Sequence, residues 1–373
     1  MNELLEETIE LRHQLHTHPQ LSLNERETIE RLMCFLHAHC VNTEIHDCGT
    51  WFYTVKKGTG SKKIAFRGDM DALPINEHLD LSYTSVNEGV SHKCGHDGHS
   101  STLAYLVCLV DRLDTKASVY GIFQHAEEIG VGGDICSKLL TSKHIDEVYA
   151  YHNLPGFPVG KLVYRRGLSQ PASVGITIKA TGTKSHASYP EQGNNPSGFF
   201  AGLIEKLSRI DKKAHKGMVL CTIVNVSIGT KDFGISAGEG ELSFTLRAEN
   251  EDEMLKEQKI ILNYAKRMAA RQNLKLEVEE SDRFPETRNN DDCLNRVIEA
   301  AHKCEVETEE MNYLWRASED FGNYLKKCPG AIFYMGNGTH SADLHTSGYD
   351  FNDTIILPAA KVMLEIIKSH DDD

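Results

Sequence analysis

The stretch "KKIAFRGDMD", Lys62 to Asp71, sets a short apolar run against an arginine and a pair of aspartates. Three further runs share the texture of its first half: "SVYGIF" from Ser118, "DEVYAY" from Asp146 and "GAIFYMG" from Gly330. Each is short, aromatic or β-branched, and apolar on successive residues, the pattern of strands buried on both faces of a parallel sheet. Helical periodicity lies between them, as in "TLAYLVCLV", where Leu103, Leu106, Val107 and Val110 recur on one face. These features predict an α/β domain built on a mostly parallel sheet.

The middle of the chain reads differently. In "SVGITIKATG", Val174, Ile176, Ile178 and Ala180 alternate with other residues, as do Leu242, Phe244 and Leu246 in "GELSFTLRAE". Strict alternation predicts half-buried antiparallel strands. "NPSGFFAGLIEKLSRI" and "EDEMLKEQKIILNYAKRMAAR" read as helices. An α+β domain over residues 169–282, inserted between two parts of the first domain at 1–168 and 283–373, accounts for the change.

Composition bounds the function. The 373 residues are 40% hydrophobic and 25% charged, enough for two globular domains. The net charge of -14 is spread along the chain and no basic stripe appears, which argues against a nucleic-acid partner. The start, "MNELLEETIELRHQL", lacks signal-peptide character, and no apolar segment approaches membrane-spanning length. The 10 cysteines at irregular spacings suit reduced thiols in a cytoplasm better than a disulfide framework.

Polar residues recur where the strands end. Asp69 and Asp71 follow "KKIAF", Glu127 and Glu128 close "QHAEE" after "SVYGIF", His152 follows "DEVYAY", and His345 lies a short loop beyond "GAIFYMG". The carboxyl edge of a parallel sheet delivers such loops into one crevice. Cys94, His96 and His99, from "SHKCGHDGHSS" before the helix, can join them. A thiol, imidazoles and carboxylates together are too many donors for one tetrahedral ion and suggest two transition metals with an open position. Adjacent Glu127 and Glu128 suit a division of labour, one ligating metal and the other handling a proton. Taken singly, Cys94 reads as a buried structural cysteine, His152 as a strand-end histidine, and the glutamate pair as a solvated helix start. Their repeated position after apolar strands tells against coincidence.

"RGDMDALPI", "HKCGHDGHSS", "FQHAEE", "YHNLPGFPVG", "GTKSHASYP", "ASEDFGNYL" and "DLHTSGYDFND" together resemble the ordered motifs of the aminoacylase and carboxypeptidase superfamily of two-metal hydrolases. The similarity is greatest to its amidohydrolase branch, with N-acyl-amino-acid deacylases, hippurate hydrolases, N-acetyl-diaminopimelate deacetylases and auxin-conjugate hydrolases. The resemblance implies a di-metal hydrolase domain with an inserted lid and dimerisation domain. It implies metal ligation by Cys94, His96, Glu128, His152 and His345, Glu127 as general base and Asp71 as an orienting carboxylate. It makes His186 the lid histidine that reaches the partner's site in a homodimer, and Arg247 a grip on the substrate carboxylate, with an exposed strand arginine as the alternative. The implied reaction cleaves an N-acyl, in the first instance N-acetyl, amino acid into a carboxylic acid and an amino acid. His16, His18 and His99 then read as structural or orienting residues.

Three positions depart from the pattern: His125 replaces a proline, Gln20 a glutamate and Gly234 an asparagine of many relatives. Thiolate and imidazole favour zinc, while carboxylates and open coordination admit manganese, cobalt or nickel. A metallo-carboxypeptidase or dipeptidase with the same centre, an inactive binding protein of the same fold, and a cysteine hydrolase with Cys94 as nucleophile are the alternatives.

Overall fold

In the computed structural model, which describes residues 2–372, the four apolar runs become adjacent strands of one eight-stranded sheet. Ser118–Gln124, Lys63–Asp69, Glu147–Pro155 and Gly330–Gly338 lie side by side in that order, each paired in parallel with its neighbour. Almost every residue in them is buried, which is why the sequence shows unbroken apolar runs. Phe52–Lys56 and Glu44–Asp47 extend one side in antiparallel fashion, and Leu162–Tyr164 and Thr308–Glu310 extend the other.

Both faces of this sheet are covered. Ile64 and Phe66 face one core, shared with Leu15, Leu32, Leu106, Val297 and Ile366 of the helices Asn2–Thr17, Arg26–His39, His96–Asp111, Asp291–Lys303 and Ile356–Asp372. Ala65 faces the other, with Cys136, Leu139, Phe321 and Tyr324. The predicted stripe Leu103, Leu106, Val107 and Val110 is buried, but so are the polar residues from His96 to Thr102. Helix His96–Asp111 packs on the sheet strand Lys63–Asp69 and is covered by Asn2–Thr17 and Ile356–Asp372, so its first turns are interior on every side.

The chain divides into two compact units. The first holds the chain up to Ser169, Thr287–Leu314 and everything from Glu319 onward; the second holds Gln170–Glu286 and Trp315–Ser318. Within the second, strands Val219–Ile228, Glu239–Ala248, Ala172–Thr181 and Lys275–Phe284 form an antiparallel sheet in that order. Val174, Ile176, Ile178, Leu242, Phe244 and Leu246 pack on Phe199, Leu203, Ile261 and Ala265 from the helices Ser197–Leu207 and Glu251–Arg271. One covered face explains the alternation. Asn250 caps the second helix through the amide of Glu253 at 3.1 Å. Among the described residues no helix is long and apolar enough to cross a membrane.

Candidate metal centre

The centre is assembled wholly within the first unit, around the turn that starts helix His96–Asp111. Gly95 has φ +96°, and a Cβ there would run into the side-chain nitrogen of Asn153 and the hydroxyl of Tyr349. Glycine alone lets the chain turn between Cys94 and His96. The Asn153 amide donates to the Cys94 carbonyl at 2.6 Å and so pins that turn.

Both buried imidazoles beside Cys94 are oriented by hydrogen bonds at Nδ1. His96 Nδ1 donates to the Asp71 carbonyl at 3.0 Å and lies 3.2 Å from its carboxylate, while His152 Nδ1 donates to the Asn153 carbonyl at 2.6 Å. That pattern puts the lone pair of the neutral ring on Nε2, as metal-binding histidines require. His152 Nε2 lies 3.4 Å from Cys94 Sγ. His152 itself sits inside strand Glu147–Pro155 rather than beyond its end, because the strand continues past "DEVYAY".

Glu127 and Glu128 occupy a turn after strand Ser118–Gln124, not a solvated helix start. Glu128 Oε1 lies 3.7 Å and Glu127 Oε2 3.9 Å from His96 Nε2. Asp71 accepts the amide of Glu128 at 3.0 Å and the Ser22 hydroxyl at 2.7 Å, so one carboxylate orients both His96 and the glutamate turn. His345, half exposed and with φ 61°, is held by donation of its amide to the Lys93 carbonyl at 2.7 Å. Its Nε2 lies 3.6 Å from Glu128 Oε2.

These atoms form overlapping groups of close donors: Cys94, His96 and His152; Cys94, Glu128 and His345; and His96, Glu127 and Glu128. Two ligands about 2.1 Å from a tetrahedral ion stand about 3.4 Å apart, close to the spacings seen. His96 Nε2 and Glu128 Oε1 are buried without a hydrogen-bond partner, the condition a cation would relieve. Electrostatics agrees. Asp69, Glu319 and Asp320 surround a single arginine, Arg67, at 2.5 Å, 3.1 Å and 2.8 Å, while Asp71, Glu127 and Glu128 stand beside His96. Burial, with Glu319 and Asp320 nearby, pushes Glu127 well up, and burial beside Asp71 and Asp69 pushes Glu128 up to about 8. Burial also raises the Cys94 thiol and lowers His152. Burial opposes a charge on His96, yet Asp69 and Cys94 push it well up, so the donor cluster holds protons on His96, Glu127 and Glu128 that divalent cations would displace.

The sequence motifs "ASEDFGNYL" and "RGDMDALPI" contain Glu319, Asp320 and Arg67, but nothing in their spacing announces this buried charge cluster. His99 is an orienting residue, bound to Asp69 at 2.6 Å and accepting the Asn153 amide at 3.1 Å. His16 bridges Asp97 at 2.7 Å and Glu77 at 3.0 Å, in an ion-pair network behind the centre. Gln20 caps helix Arg26–His39 by accepting the Thr28 amide at 2.9 Å.

A sequence profile of peptidase family M20/M25/M40 matches residues 65–369. The chain belongs to that family. Its sequence is 31% identical to a hippurate hydrolase of Campylobacter jejuni, over 96% of each chain. It is 26% identical to an N-acetylcysteine deacetylase of Bacillus subtilis, over 96% of this chain and 95% of that one. A dinuclear metal-binding peptidase of the M20 family from Bacillus subtilis matches the structure with a TM-score of 0.81 at 25% identity, covering 100% of this chain and 99% of the other.

Two expected residues lie in the second unit of this M20/M25/M40 chain. His186 is exposed on the short strand Ser185–His186, paired with Ile235–Ser236, and its Nδ1 accepts the Ser188 amide at 3.1 Å. The neutral ring therefore carries its proton on Nε2, ready to donate. Gly234 accepts the Ala187 amide at 2.9 Å and so lies beside His186. Arg247 shares its strand with buried Leu246 and donates to the Arg316 carbonyl at 2.6 Å and the Ser318 hydroxyl at 2.8 Å.

Proposed function

We propose that the chain is a metal-dependent amidohydrolase that cleaves N-acyl amino acids to a carboxylic acid and a free amino acid. The convergence of Cys94, His96, Glu128, His152 and His345 into overlapping donor groups, with Glu127 at their edge, carries the reading. Two divalent cations held there would lower the proton affinity of a water and polarise the scissile carbonyl. The thiolate and imidazole donors favour zinc, with manganese, cobalt and nickel as the other candidates.

Glu127 is the proton carrier. Its carboxylate is buried, lies close to His96 and accepts the Asp320 amide at 3.4 Å, so it is aimed rather than free. It takes a proton from the attacking water and returns it to the departing amine. Asp71 keeps His96 oriented. Arg247 grips the substrate carboxylate. Its guanidinium uses one nitrogen on Arg316 and Ser318, and a planar fork has further donors.

The reading includes a homodimer in which the partner subunit's His186 donates from Nε2 to the developing oxyanion. In support, the strand Val219–Ile228 is an edge of its sheet and leaves Val224 63% and Val226 42% exposed, an unpaired row suited to a second copy. The free thiols on all of the cysteines support a cytoplasmic setting.

The test is hydrolysis of an N-acetyl and N-benzoyl amino-acid panel by metal-restored protein, with dipeptides as a second arm. Acyl amino acids should be cleaved, chelation should abolish turnover, and Glu127→Gln should retain metal while losing about 10²- to 10⁴-fold in kcat. Faster cleavage of dipeptides would move the assignment to a dipeptidase. Turnover by demonstrably metal-free protein would restore Cys94 as a nucleophile.

A further inference from the structure

The turn bearing Glu127 and Glu128 hangs on buried carboxylates. Glu25 Oε1 accepts the amide of Ala126 at 2.8 Å, Asp71 that of Glu128 at 3.0 Å, and Asp320 that of Gly133 at 2.7 Å. Ala126 is fully buried and has φ 48°, a left-handed conformation that an alanine adopts only when its surroundings impose it. The residue next to it is the base.

Asp71 and Asp320 have other duties, on His96 and on Arg67 and Gln124. Glu25 is different. It stands at the N-cap of helix Arg26–His39, where a side chain ordinarily satisfies the helix's own first amides, yet it makes no such bond. Gln20 has taken over that task through the Thr28 amide. The Glu25 side chain, 2% exposed, is thereby released to cross to the catalytic turn.

We propose that Glu25 is a positioning residue, which holds the Ala126 amide and with it the left-handed turn that aims the Glu127 carboxylate. This rests on Glu127 as the base. Without the acceptor, the turn relaxes toward ordinary backbone geometry and the neighbouring carboxylate swings with it. The base keeps its chemistry and loses its aim, so the cost falls on the rate of the chemical step rather than on substrate binding.

Two variants separate this from a merely structural role. Glu25→Met keeps length and volume but removes the acceptor; Glu25→Gln keeps an acceptor oxygen. On an N-acyl amino acid, Glu25→Met should lower kcat about tenfold to a hundredfold with KM nearly unchanged, and Glu25→Gln should restore most of it. Hydrogen–deuterium exchange of the metal-free protein should show faster exchange at residues 124–133 in Glu25→Met alone, with helix 26–39 unaffected. Wild-type kcat in Glu25→Met, exchange that speeds up equally in both segments, or Glu25→Gln as impaired as Glu25→Met overturns the proposal. If Glu25→Met does not fold, the wild-type Ala126 amide decides: strong protection supports the assignment and exchange at the rate of open loops refutes it. A wild-type protein inactive on every acyl amino acid would instead refute the proposed reaction, and the exchange experiment would still report on Glu25.

Discussion

Replacing Arg67 by methionine should expose how the buried charges beneath the centre are balanced. The guanidinium is buried and contacts Asp69, Glu319 and Asp320 directly, while its Nε donates to Gln124 Oε1 at 2.9 Å. Methionine approximates the volume of the stem and removes the cation, leaving several carboxylates uncompensated. Breaking a buried ion pair by deleting one partner costs about 3–5 kcal/mol, so a loss in or above that range is expected for the first unit at pH 7. Metal-free protein must be used, since bound cations would mask part of the loss. Urea unfolding followed by Trp51 fluorescence in a Trp315→Phe background reports that unit. The loss should also depend on pH. Burial, only partly offset by Arg67, already raises Asp320 to about 7. In the variant the neighbouring carboxylates keep folded-state pKa values above their unfolded ones, so the native state binds more protons and its stability rises as the pH is lowered from about 7 to about 5. In the wild type Asp69 is the opposite case: burial opposes its ionisation, yet Arg67, His96 and His99 hold it well below the ordinary range. Its contribution is complete above the unfolded carboxylate range and is lost only in stronger acid. A variant within about 1 kcal/mol of wild type, or a loss that does not shrink between those pH values, would refute the account of Arg67 as the counter-ion.

Gly95→Ala should lower metal occupancy and kcat together and cost at least about 2 kcal/mol, because φ is left-handed and Asn153, the residue in the way, is itself pinned; unchanged metal titration would show that the turn can shift. Converting the substrate carboxylate to an amide should cost about 1.5–3 kcal/mol in kcat/KM for wild type and little for Arg247→Ala; equal penalties would leave Arg247 as a tie to Arg316 and Ser318. Co-expressed Glu127→Ala and His186→Ala subunits, each nearly inactive alone, should regain about a quarter of wild-type activity through mixed dimers, and verified mixed dimers without recovery would confine His186 to its own chain or to no role.

The sequence by itself determined the sheet and the chemistry at its edge. Unbroken apolar runs at "KKIAF", "SVYGIF", "DEVYAY" and "GAIFYMG", short and rich in aromatic or β-branched residues, have the pattern of strands covered on both sides, and they emerge as four parallel neighbours. Strict alternation at Val174–Ala180 and Leu242–Leu246 marked a sheet covered on one side, since a period of two survives only where one face is packed. Sequence also brought Cys94, His96, Glu128, His152 and His345 toward one crevice, because strand ends in a parallel sheet share an edge. What it could not reach were the partners of those residues. Asp320 meets Gln124, and Arg67 meets Asp320, across separations of 196 and 253 positions, with nothing periodic in the chain to announce either contact. Whether a glutamate such as Glu25 caps its own helix or crosses to Ala126 depends on what is packed beside it, and here Gln20 settles the question by filling the cap. The full burial of His96–Thr102 likewise follows from two helices lying over a third. Periodicity records how one element meets its surroundings on average; the pairing of individual buried charges is a property of three-dimensional neighbours, and only the tertiary structure decides it.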